Sequence, residues 1–237
     1  MNTTTIPVGE INRLRRRAQA AVPHTSGPDG WSISPVDPMQ LLAAFDTLGM
    51  KSGLALRAYV FREGLNGNGV VYAMPIDEAQ PLPEACPRLD EFLSPPKPAA
   101  ALDNVMQAIV SDGSPFSYMS ASLLAREIGE FGASWHGISW GVAKIIGRRP
   151  PEVEQHTIVQ FTDTHELQSK LTLCGPPPRS WRPEVTQTAE GVEVSFCVLN
   201  IVGVETITRL TDTYANGGYA FATTEETIAS GGGGIIW

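Results

Sequence analysis

Cysteine, histidine, positive charge and long apolar runs are all in short supply in this chain, and each shortage removes a class of protein. Three cysteines, Cys86, Cys174 and Cys197, are spread over 237 residues. An odd number at such spacings excludes a disulfide framework and a CxxC-type zinc ribbon, and buried free thiols in a reducing compartment are expected instead. Histidine occurs four times, with His24 in a loop. The stretch HTIVQFTDTHE holds His156, Asp163, His165 and Glu166, but their spacings match no zinc or facial-triad pattern. Neither a metal nor another cofactor is therefore expected. No apolar run approaches the roughly 20 residues that span a bilayer, and no signal h-region opens the sequence. The expectation is a soluble, cytoplasmic protein.

Seventeen basic side chains face twenty-five acidic ones, for a formal net charge of −8. The imbalance is uneven: residues 1–22 carry +3, residues 23–150 carry −4 and residues 151–237 carry −7. A body this acidic repels nucleic-acid backbones and anionic membranes, which excludes both as partners, and it suits a basic protein partner. What the chain does have is enough apolar residues, 42%, to bury a substantial core.

Residues 8–22 read as a helix with Ile11, Leu14, Ala18, Ala21 and Val22 on one side, and with Arg13, Arg15, Arg16 and Arg17 on a solvated face. A Pro-, Gly- and Ser-rich loop follows over 23–35. Asp37-Pro38 then opens a short helix that points Leu41, Leu42 and Phe45 inward and ends at Gly49. LALRAYVFRE and VVYAM flank GLNGNG, whose Asn-Gly pairs signal a hairpin; a phosphate loop would open a helix, and here a second strand follows. Seven prolines between 75 and 98 mark a long surface connection. Helical periodicity reappears over 100–110 and over 115–131, the second capped by Ser114-Pro115. Beyond Pro150, Thr-rich and β-branched segments between Gly and Pro turns read as an antiparallel sheet. The fold class is α+β, with a mixed or antiparallel sheet, helices in the N-terminal and middle parts and a β-rich C-terminal part. It reads as one domain over 1–237, with candidate subdivisions near 75–98 and near 150.

One carboxylate is out of place. On a helical wheel from Phe116, Glu127 falls at about 20°, inside the arc of Met119, Leu123, Leu124, Ile128 and Phe131. Such a group is either paired or strongly perturbed, because desolvating a lone charge costs several kcal/mol. Glu127 is thus a general acid or base lining a pocket, or half of a structural ion pair with Arg57 or Arg62 of the hairpin, or, if the core face is narrower than drawn, exposed to solvent. Arg57, on the strand face of Tyr59 and Phe61, is the expected inward one of the two. Just after this helix, SWHGISW alternates like a strand, with Ser134, His136, Ile138 and Trp140 on one face and Trp135 on the other. His136 would then approach Glu127, and Ser134 would complete a hydrolytic constellation, although no GxSxG elbow accompanies it. The tryptophans Trp135 and Trp140 are also what a binding surface uses as anchors. At the C-terminus, Trp237 ends a Gly-rich tail suited to docking in a groove of the protein itself.

Two function classes fit these residues. One is an interaction or regulatory protein, such as an inhibitor or neutralising partner of a basic protein, binding through Trp135, Trp140, Arg57 and Trp237. The other is a metal-independent hydrolase or transferase built on Glu127, His136 and Ser134.

Overall fold

The computed structural model describes residues 1–23, 27–87, 94–150, 156–162, 165–215 and 217–231, with the backbone alone for 156–162 and 165–170. His24, Asp163 and Trp237 therefore lie outside the described residues, as do the side chains of His156, His165 and Glu166. In chain order the elements begin β1 (Asn2–Thr5), α1 (Val8–Ala20), β2 (Gly30–Ile33), α2 (Met39–Ala43), β3 (Leu48–Met50), β4 (Leu54–Glu63) and β5 (Asn66–Pro75). They continue with β6 (Ile109–Ser111), α3 (Pro115–Gly129), β7 (Lys144–Ile146), β8 (His156–Thr162), β9 (His165–Lys170) and β10 (Thr172–Leu173). The last four are β11 (Glu184–Gln187), β12 (Gly191–Asn200), β13 (Thr206–Ala215) and β14 (Phe221–Ser230). The architecture is α+β with a β-rich C-terminal part. Among the described residues no helix is long and apolar enough to cross a membrane.

The chain divides into two units. One comprises Arg13–Ile138 with Ala215–Ala220. Its centre is the hairpin β4–β5, in continuous antiparallel register from Leu54↔Pro75 to Glu63↔Asn66. The turn is Gly64-Leu65, with Gly64 at φ +58, so the Asn-Gly pairs sit inside β5 rather than at the bend. β2 pairs with β4 inside the stretch read as a loop, Trp31 facing Phe61. Four residues are too short for a periodicity to show, and the long-range ladder supplies the order. Helix α3 begins as its sequence dictates: Ser114 accepts a hydrogen bond from Ser117 N at 3.3 Å, and Pro115 follows in the first turn. Its core face buries Met119, Leu123, Leu124 and Ile128.

The expected helix over 100–110 is not there. A single 3₁₀ turn occupies Val105–Ala108, and the chain then enters β6. Asn104 caps that turn by accepting from Met106 N at 2.9 Å, while Leu102 N donates to Ala73 O and Lys51 N to Ala108 O. Backbone pairing with distant segments takes the groups that an α-helix would have used internally.

The other unit comprises Met1–Asn12, Ser139–Tyr214 and the chain from Phe221 onward. Its sheet runs β1-β11-β12-β13-β14-β10, with β7 added on β12. Leu171, Cys197, Ile201, Ile207 and Ile228 form its core cluster. Between Ile207 and Thr208 the β13–β14 register shifts by one residue, which lets Ile228 and its neighbour Ala229 both be buried.

Candidate functional site

Among the residues singled out in the sequence, Glu127 belongs to a buried ion pair and Ser134, Trp135 and His136 to an exposed loop, both within the unit that holds α3. Glu127 is buried, as its position on the wheel required, but its partner is Arg15 of α1, whose Nε lies 3.3 Å from Oε1. This corrects two expectations. Arg15 belongs to no solvated face: it stands four residues after Ile11 and between Leu14 and Ala18, on the buried stripe of α1. Nor does Arg57 turn inward; it is half-buried and its Nη1 donates to its neighbour's carbonyl, Leu56 O, at 3.1 Å. Arg62 is the buried arginine of the hairpin, donating to Phe61 O at 2.9 Å and to Gly132 O at 2.7 Å. Burial pulls the pKa of Arg15 down from the usual guanidinium value, and the charge of Glu127 works against that fall.

The exposed part is the loop 132–137, and glycines seat it on the hairpin. Gly67 and Gly69 lie two apart in β5 and so turn the same side to the loop. A Cβ on Gly69 would run into the carbonyls of Phe131 and Tyr59, and one on Gly67 into Arg62 Nη1 and Ser134 Oγ. Ser134 forms an antiparallel bridge with Gly67, its N donating to Gly67 O at 3.1 Å, and its hydroxyl donates to Leu65 O at 2.8 Å. Gly132 reaches the bridge at φ +74, and Gly137 comes so close to Gly67 O that no side chain fits there. Alternate glycines inside a strand were the sequence signal for this close approach.

SWHGISW is therefore not a strand. Trp135–Gly137 form a 3₁₀ turn, and Trp135 sits at φ +49, the left-handed region that a bulky side chain enters at a cost of about 1 kcal/mol. The bridge at Ser134 on one side and the close approach of Gly137 on the other fix the backbone between them. Trp135 is 49% exposed and stacks on His136 with ring centroids 6.0 Å apart. His136 is exposed too, and Leu65, at the hairpin turn, is 75% exposed. Two exposed carboxylates stand at the same turn: Glu63 precedes it, and Asp29 accepts from Gly64 N at 3.1 Å.

Glu127, His136 and Ser134 thus occupy different environments. The carboxylate is held against Arg15 with 6% of its side chain exposed. The imidazole is on the surface, and the serine hydroxyl is engaged with a backbone carbonyl. Trp140 belongs to the other unit, where its half-buried ring meets Phe196 edge-on at 6.5 Å. Sequence reasoning passed over Arg15, Leu65 and the paired glycines. Among the described residues no group of three or more His, Cys, Asp or Glu is arranged to hold a metal ion. Comparison with protein-family models, curated proteins and solved structures found no match, so the geometry alone carries the functional reading.

Proposed function

We propose that this chain is a protein-interaction module that offers Trp135, flanked by Leu65 and His136, to a partner with a positively charged surface. The observation that carries the proposal is a bulky aromatic residue held in a strained backbone conformation with half of its surface in solvent. Strain of this kind persists only where the surroundings impose it, and it gathers where a side chain must be presented in one orientation. A pre-oriented tryptophan loses little entropy on binding and supplies a large apolar face, the usual make-up of an interface hot spot. The acidic groups Asp29 and Glu63 at the hairpin turn, and the net charge of −8, give the partner its sign.

Trp135→Gly separates presentation from folding. Glycine removes the strain while giving up the packing of a half-buried ring, so the melting temperature is expected to stay within about 4 °C of the wild type. Affinity capture from cell extract with wild-type and Trp135→Gly baits, quantified side by side at low and high salt, tests the binding role. The expected result is a basic protein enriched by the wild type, released by salt and reduced at least about tenfold on the variant bait. Equal capture by both baits would overturn the proposal.

A further inference from the structure

Glu205, in the connection from β12 to β13, has no solvent-exposed surface. Neither of its carboxyl oxygens has a hydrogen-bond partner among the described residues. Asp212, equally buried on β13, shows the ordinary solution, since Thr223 Oγ1 donates to it at 2.7 Å. A carboxylate left without such a donor costs several kcal/mol in its ionised form, and the group takes up a proton instead.

The position of Glu205 gives that proton a structural consequence. Its carbonyl accepts from Gly231 N at 2.7 Å, which carries the β13–β14 ladder one step past Thr206↔Ser230. Alternation along the chain brings Glu205 to the side of Ile207, a fully buried member of the cluster with Leu171, Ile201 and Ile228. Among the described residues the strands around it supply no counter-charge nearby. Thr206 and Ser230 lie beside it, and β10 brings Thr172 and Leu173. The first charged side chains along β13 and β14 are Arg209 and its cross-strand neighbour Glu226. Lys144, which faces Leu199 from β7, points to solvent.

We propose that Glu205 is a proton-operated latch on the end of β14: as the neutral acid it lets the sheet close through the Glu205–Gly231 hydrogen bond, and on ionisation it releases that end. Desolvation raises its carboxyl above the usual value of 4.5. A raised pKa in the folded state means that the stabilisation is fully present below the ordinary glutamate range and is lost as pH climbs through the folded value.

The test compares wild type with Glu205→Gln, which keeps the shape and cannot ionise, from about pH 5 to about pH 8. Amide hydrogen exchange at Ser230 and Gly231, corrected for its intrinsic pH dependence, is the first readout. Protection in the wild type is expected to fall about tenfold or more with rising pH, and to stay flat in the variant. Carbon-13 NMR of the wild-type Glu205 carboxyl is the second, with a midpoint expected above those of the exposed glutamates. Parallel exchange profiles in the two proteins, or a Glu205 carboxyl that titrates with the exposed ones, would overturn the latch. Should Glu205→Gln fail to fold, Glu205→Met takes its place, and the carboxyl titration decides on the wild type alone.

Discussion

Glu127→Leu made alone is expected to cost about 3–5 kcal/mol of stability, and Arg15→Leu a similar amount, whereas the double replacement restores most of the loss. The asymmetry follows from burial. Both side chains are 93% or more removed from solvent, with 7% of Arg15 and 6% of Glu127 exposed. Deleting the carboxylate takes from a buried guanidinium, whose pKa burial already depresses, the larger of the charges that support it, Glu130 contributing less. Deleting both removes the desolvation penalty together with the attraction, and two leucines fill the space between α1 and α3 with apolar volume. Glu127→Gln keeps an acceptor for Arg15 Nε but loses the charge, and its cost falls between zero and that of leucine. Urea unfolding of the four proteins measures the coupling directly. Losses that simply add in the double variant would mean that the pair is not the unit described here. A Glu127→Leu protein as stable as wild type would leave the buried charge unexplained.

That pair also shows how far the sequence could be read. The wheel through α3 placed Glu127 in the core face because fifteen residues give a periodicity enough turns to declare itself. The same reasoning applied to α1 stopped at the arginines as a class. Ile11, Leu14, Arg15 and Ala18 follow the i, i+3, i+4, i+7 pattern, so Arg15 was placed by its spacing even though its charge argued for solvent. Its reach to Glu127 is a contact across 112 positions, and no local pattern encodes a partner at that distance. The 100–110 segment failed in the opposite way. Its spacing is helical, yet Leu102 and Ala108 are engaged by β5 and by Lys51, and pairing of that range overrides propensity. SWHGISW alternates like a strand, but Gly132 ahead of it and Gly137 within it allow the chain to fold back on the hairpin. A tryptophan in the left-handed region has no sequence signature at all.

Gly69→Ala is the second large effect, expected to cost about 3 kcal/mol. In a strand, alanine is ordinarily better than glycine by about 0.5–1 kcal/mol, because it has less backbone entropy to lose. Any loss at this position must therefore come from collision. The new methyl group would meet the carbonyl of Phe131, where the chain enters the loop, and that of Tyr59 on β4, and backbone atoms on two sides cannot rotate out of the way. At Gly67 the nearest atoms are Arg62 Nη1 and Ser134 Oγ, both tied to backbone carbonyls, with the Gly132 carbonyl beside them, so Gly67→Ala is expected to be destabilising as well. Gly129→Ala serves as the control in the same unit: it meets nothing within 4 Å at the end of α3 and should leave stability unchanged or raise it slightly. Because the loop that carries Trp135 rests on Gly69, the alanine that destabilises the hairpin should also displace the aromatic anchor. Thermal melts of the three variants, with tryptophan fluorescence followed in the same samples, read both effects. If Gly69→Ala melts with the wild type and its fluorescence is unchanged, the loop is not seated on the hairpin, and the strain at Trp135 loses its cause.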